Sequence, residues 1–129
     1  MNNGIVEVTT LLASGARTTT VTGDTKTNMS ADTLTAYLNV TAVPGVDTVL
    51  LQLQEQDPVS GTWVTLAATL AQAATGLIVL KVGPGISAIA AAVAAVAVNQ
   101  VLPHKWRLNV VHSAGTSFTY SLGFVTSKS

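Results

Sequence analysis

Two histidines and six carboxylates make up nearly all the acid–base chemistry this 129-residue chain could offer, and their spacing is poor for it. His104 and His112 stand eight residues apart on one strand-like segment. At the rise of a β-strand that separates them by ~26 Å. They cannot share a metal ion unless the chain bends back, and no third ligand stands at usable spacing. Glu55 and Asp57 would share a face of a strand, as a carboxylate pair must. Asp57 precedes Pro58, however, and suits the cap of a turn better. Serine is plentiful, yet no Gly-x-Ser-x-Gly elbow presents one, and no glycine-rich phosphate loop occurs. Cysteine is absent, which removes thiolate chemistry and disulfides together. The expectation is a chain with no catalytic, cofactor-binding or metal-ligating residues. Trp63 and Trp106 could stack on a sugar. Trp106 alternates inward with Leu108 and Val110 and reads as core. Trp63 faces away from Val64 and Leu66 and is left to cover a hairpin or meet a partner.

The elements that would position these residues are strands. Leu34, Ala36, Leu38 and Val40 fall on one face, and Thr35, Tyr37, Asn39 and Thr41 on the other. Val49, Leu51 and Leu53 alternate with glutamines. Trp106, Leu108 and Val110 alternate with Lys105, Arg107 and Asn109. Phe118, Tyr120, Leu122 and Phe124 alternate with small polar residues. This period of two is the strand signature. Between two such runs, Asp57-Pro58-Val59-Ser60-Gly61 supplies a side-chain cap, a fixed φ and a residue free to take φ > 0, which predicts a hairpin. Val64, Leu66 and Leu70 are expected inward on its returning strand. Residues 77–82 read as a strand buried on both sides. Residues 86–98 read in two ways. Ile86, Ile89, Val93 and Val96 make a helical stripe among alanines, whereas every neighbouring segment predicts an extended conformation. The fold class expected is all-β, an antiparallel β-sandwich or jelly-roll with an Ala-rich helix or loop near 86–98. Residues 1–33 would form an N-terminal arm or edge strands, and 34–129 the sandwich domain. Leu38, Val40, Leu51, Leu53, Leu66, Leu108, Val110 and Leu122 are expected in the core.

Composition narrows the class of function. Only 9% of the residues are charged and the formal net charge is zero, against about 25% charged in a typical soluble domain. A free protein usually stays soluble through an excess of one sign, so a neutral, charge-poor chain suits life inside an assembly. No basic stripe exists to neutralise phosphates, which argues against nucleic acid. The most apolar stretch, 77–98, is interrupted by Lys81, Gly83, Pro84 and Gly85. What remains uninterrupted is shorter than the ~20 residues that span a bilayer, so no membrane contact is expected. The N-terminus lacks the basic and apolar regions of a secretory signal. An apolar segment without charges must be covered. The expected contact residues are Ile5, Val8 and Leu11 in the arm, and Ile86, Ile89, Val93 and Val96 in the Ala-rich stretch. An extended arm can also pair its backbone with a neighbour's sheet edge.

Three motifs in order carry a resemblance. They are Gln54-Glu55-Gln56-Asp57-Pro58-Val59-Ser60-Gly61-Thr62-Trp63, then Val82-Gly83-Pro84-Gly85-Ile86, then Leu102-Pro103-His104-Lys105-Trp106-Arg107-Leu108. They resemble small structural proteins of tailed bacteriophages, and the resemblance covers roughly residues 34–124. In those proteins an Asp-Pro-x-Ser-Gly-x-Trp hairpin, a Pro-Gly turn and a Pro-x-x-Trp-Arg strand follow one another. The resemblance implies a head decoration or cement protein. It would be made in the host cytoplasm and carried on the outer capsid surface of the virion, without cofactor. Its partners would be the major capsid protein and copies of itself, with a homotrimer the implied state. The alternative is a carbohydrate- or receptor-binding β-sandwich, free or on a tail.

Overall fold

The structure, a computed structural model, describes residues 4–90 and 95–128. Its strands are β1 (Ile5–Arg17), β2 (Val21–Thr22), β3 (Lys26–Thr27), β4 (Thr33–Ala42), β5 (Val49–Gln56), β6 (Trp63–Ala68), β7 (Gly76–Gly83), β8 (Ala95–Asn99), β9 (Lys105–His112) and β10 (Phe118–Ser127). The first sheet has the order β1-β10-β4-β7-β8. The second has the order β2-β9-β5-β6, with β3 also paired to β9. The fold is an all-β sandwich, and no helix occurs among the described residues.

The period-two faces become the core. Leu34, Ala36, Leu38 and Val40 of β4 meet Val49, Leu51 and Leu53 of β5, with Trp106, Leu108 and Val110 of β9 and Phe118, Tyr120, Leu122 and Phe124 of β10. Trp106 packs its ring edge-on to Phe124, with centroids 5.1 Å apart. Of the eight expected core residues, seven are buried and Leu66 is only partly so.

Two local expectations change, and two alternatives left open by the sequence are decided. Val64 and Leu70 are exposed: Val64 keeps its expected side, opposite Glu55, but lies outside the core cluster, and Leu70 follows an irregularity in the hairpin. Leu53 pairs with Ala67 but Gln54 pairs with Thr65, which leaves Leu66 as an extra residue. One extra residue shifts the side-chain phase, and Ala67 takes the core position. Strand β7 is buried on one face only: Ile78, Leu80 and Val82 point inward, while Leu77 and Lys81 are exposed. Where the Ala-rich stretch is described, it is extended instead of helical. Ala95–Asn99 pairs with β7, and this ladder is parallel, so the sandwich is not purely antiparallel. A parallel pair needs a crossover connection between its strands, here between Gly83 and Ala95. Finally, of the two readings of residues 1–33, arm or edge strands, the strands are what is observed. β1 runs through Ile5–Arg17 along β10 of the same chain, and β2 and β3 lie on β9. Gly23 makes this docking fit. Its N–H donates to the Leu108 carbonyl at 2.8 Å, and a Cβ there would fall 2.8 Å from Leu11.

Two titratable side chains, His112 and Tyr120, meet at the junction of β1, β9 and β10. His112 Nε2 and the Tyr120 hydroxyl share a 2.8 Å hydrogen bond. Nδ1 of His112 is buried without a partner. Arg17 lies over the Tyr120 ring and donates to the Tyr120 carbonyl. Burial first, and the Arg17 charge second, push the His112 pKa below its usual value. Burial pushes the Tyr120 hydroxyl up to about 12. With a depressed histidine pKa the unfolded chain takes up the proton first. Stability is therefore expected to fall as pH drops below about 6.5, the unfolded value. The loss should level off once folded His112 itself protonates. Urea unfolding at pH 7.5, 6.5 and 5.5 should show a smaller loss for His112→Gln than for the parent. Equal losses would mean His112 is not the group responsible.

Candidate contact surfaces

Cross-strand register builds the outer face of the first sheet row by row. Val8, Val125, Thr35, Lys81 and Ala97 line up across all five strands. The next row is Thr10, Gly123, Tyr37, Val79 and Ala95, and a third joins Ser121, Asn39 and Leu77. Lys81 is the one charged residue in these three rows. Ile5 is 67% exposed, Val8 70% and Leu77 50%. Tyr37 also reaches solvent. A β-sandwich usually turns polar side chains outward, so this mixture of threonine, tyrosine and aliphatic residues makes the face a candidate contact surface.

The sheet's two edges differ. Beyond β8, the Ile89 N–H donates to the Ala97 carbonyl and the Ala97 N–H to the Ile89 carbonyl. That bridge closes part of the β8 edge and leaves the Ile89 side chain half exposed. Ile86, Ile89, Val79, Lys81, Ala95 and Ala97 line a shallow groove of about 410 Å³ beside it. At the other edge, β1 is irregular at three points along β10. Such breaks discourage continuous pairing with a foreign strand, so side chains and not backbone would make the contacts there.

The expected contact residues therefore separate. Ile5, Val8 and Ile89 are exposed on or beside this face, and Ile86 borders the groove. Leu11 is turned onto the core, against Gly23. Val96 is buried, opposite Leu80. Neither is free to meet a partner. Val93 lies outside the described residues. Tyr37, Leu77 and Val79 join the face without having been singled out. Tyr37 was legible in the Thr35/Tyr37/Asn39/Thr41 alternation, whereas Leu77 and Val79 were masked by the assumption that β7 is covered on both sides.

Of the residues weighed for chemistry, Glu55, Asp57 and His104 gather at one end of the sandwich, whereas His112 lies apart beside Tyr120. Glu55, Asp57, Ser60, His104 and Lys105 line a cavity of about 680 Å³ between the β5–β6 turn and the loop before β9. Their bonds are those of a turn. Asp57 accepts from the Ser60 hydroxyl at 2.6 Å and from the Val59 N–H at 3.1 Å. Those two bonds, the hydroxyl foremost, hold its pKa below the usual value. His104 bonds the Asn28 carbonyl through Nδ1. A serine nucleophile needs a histidine between itself and the acid, and here Ser60 donates straight to Asp57. Among the described residues no group of three or more histidines and acids could hold a metal ion.

Gly61 sits at φ 77° in this turn, as the motif predicts. Its N–H donates to the Asp57 carbonyl, and the Asp57 N–H donates to the Thr62 carbonyl. Gly61→Ala is expected to cost about 1–2 kcal/mol, the left-handed penalty for an L-residue. Thermal unfolding checks this. An unchanged Tm would mean that the turn relaxes to another conformation. Compared with models of known protein families and with characterised proteins, the chain matches none.

Proposed function

We propose that the chain is a virion structural protein that decorates or cements the outer surface of a tailed-phage capsid. It docks through the outer face of the first sheet. The observation that carries this reading is the make-up of that face, with Ile5, Val8, Tyr37 and Leu77 exposed and Lys81 alone charged in its three rows. A charge-poor patch loses little on desolvation. Repeated at every equivalent capsid position, even modest contacts accumulate avidity. The order of the three sequence motifs supports the same reading.

The test is to mix purified protein with capsids of a tailed phage that lack it, then to sediment the capsids and image them. Ordered, stoichiometric density on the outer surface is the expected result. Protein that stays in the supernatant at micromolar concentration, across phages sharing the three motifs, would overturn the proposal. Analytical ultracentrifugation of the free protein reads its self-association separately, with a trimer expected from the resemblance.

A further inference from the structure

The outer face of the second sheet has the opposite character, and one part of it is built as a site. Arg107 of β9 places its guanidinium 4.1 Å from the centre of the Trp63 ring. Its Nε donates to Gln54 Oε1 at 2.8 Å. Its two Nη groups make no hydrogen bond or ion pair with the described residues. Lys105, two residues earlier on the same face of β9, bonds only Thr27 Oγ1, at 3.3 Å. No carboxylate among the described residues pairs with either cation.

Around them lies a row of amides and hydroxyls. The Thr22 hydroxyl donates to Asn109 Oδ1 at 2.7 Å, and Asn109 Nδ2 donates to Gln52 Oε1 at 3.4 Å. Gln52 and Gln54 keep their own amide N–H groups out of these bonds.

We infer that this surface binds a carboxylate-bearing glycan. Stacking on Trp63 and the bond to Gln54 fix the guanidinium plane before any ligand arrives. A fixed guanidinium fork matches a carboxylate in two parallel bonds, and Lys105 supplies a second positive charge nearby. The amides of Gln52 and Gln54 are free to donate to sugar hydroxyls. The surroundings choose between ligand classes. Two cations are too few to hold a nucleic acid backbone against salt. A protein partner would call for an apolar interface core, and these amides and hydroxyls do not supply one. This site is independent of the capsid reading and faces away from the sheet proposed to dock.

Tryptophan fluorescence tests the inference, because Trp106 is buried and Trp63 is not. The probes are oligomers of galacturonic acid, their methyl esters, sialyllactose and an oligoglutamate peptide. The acid oligomers or sialyllactose should shift the emission saturably, and more weakly as salt rises. The methyl esters should bind about tenfold or more weakly, since a neutral ester loses the charge-assisted bonds. Arg107→Lys keeps the charge but not the fork, and should lower affinity by a similar factor while circular dichroism stays unchanged. Trp63→Phe, read by calorimetry, should weaken binding as well. The inference is overturned if neither acidic glycan binds, if acid and ester bind equally, if Arg107→Lys binds like the parent, or if oligoglutamate binds as tightly as the glycans.

Discussion

Trp106→Ala is expected to lose about 3–5 kcal/mol of folding stability, the usual range for emptying a buried tryptophan site. The side chain is 2% exposed and belongs to the one cluster that joins both sheets. It meets Phe124 edge-on at an interplanar angle of 84°. The opposite strand of its own sheet cannot refill the hole, because Glu55 lies across from it in register. The loop between β8 and β9 cannot follow inward either, since the Leu102 N–H is tied to the Asp32 carbonyl. Domains of this size have about 5–15 kcal/mol in total, so the variant should melt far below the parent or fail to accumulate. Trp63→Ala is the internal control. That ring is partly exposed, and its removal should cost much less. Chemical denaturation of the two variants side by side reads the difference, and equal losses would contradict the inside-outside assignment of the two tryptophans.

Charges placed on the outer face of the first sheet are expected to abolish docking and leave the fold intact. Val8→Glu and Leu77→Glu stand on different strands, and both side chains are at least half exposed. In the free protein, substitutions at such sites shift stability by about 0.5 kcal/mol or less. In a docked complex each buries an unpaired carboxylate in apolar surroundings. A penalty of about 2–3 kcal/mol per subunit corresponds to a roughly 30- to 150-fold loss of affinity. Avidity multiplies that loss across the array. Capsid co-sedimentation should fall to background for the double variant while its Tm matches the parent. The matched control is Gln52→Glu on the second sheet, which should still sediment. If the double variant decorates as well as the parent, docking uses another surface.

The alternation of Leu34 to Val40, of Trp106 to Val110 and of Phe118 to Phe124 was enough to specify strands, their inward faces and most of the core. Each side chain's direction there follows from parity alone, and a face of large apolar residues has only one stable place to go. The Asp57-to-Gly61 turn was equally readable, because its cap, its fixed φ and its left-handed glycine are all local requirements. What sequence could not decide were quantities set between strands. The extra residue at Leu66 exists only in the pairing with β5, and it reversed the expected phase of the residues after it, so that Ala67 is buried and Leu70 exposed. Whether β7 was covered on one face or two depended on whether anything lay over the first sheet, and nothing in the Leu77 to Val82 run encodes its neighbours. The conformation of Ala95–Asn99 followed from an open edge of β7 that could pair with it in parallel. Parity and turn chemistry are properties of contiguous residues. Register, coverage and edge pairing belong to residues far apart in the chain, such as Val8 and Val125 or Arg107 and Trp63. For that reason both candidate surfaces emerged only when the strands were laid side by side.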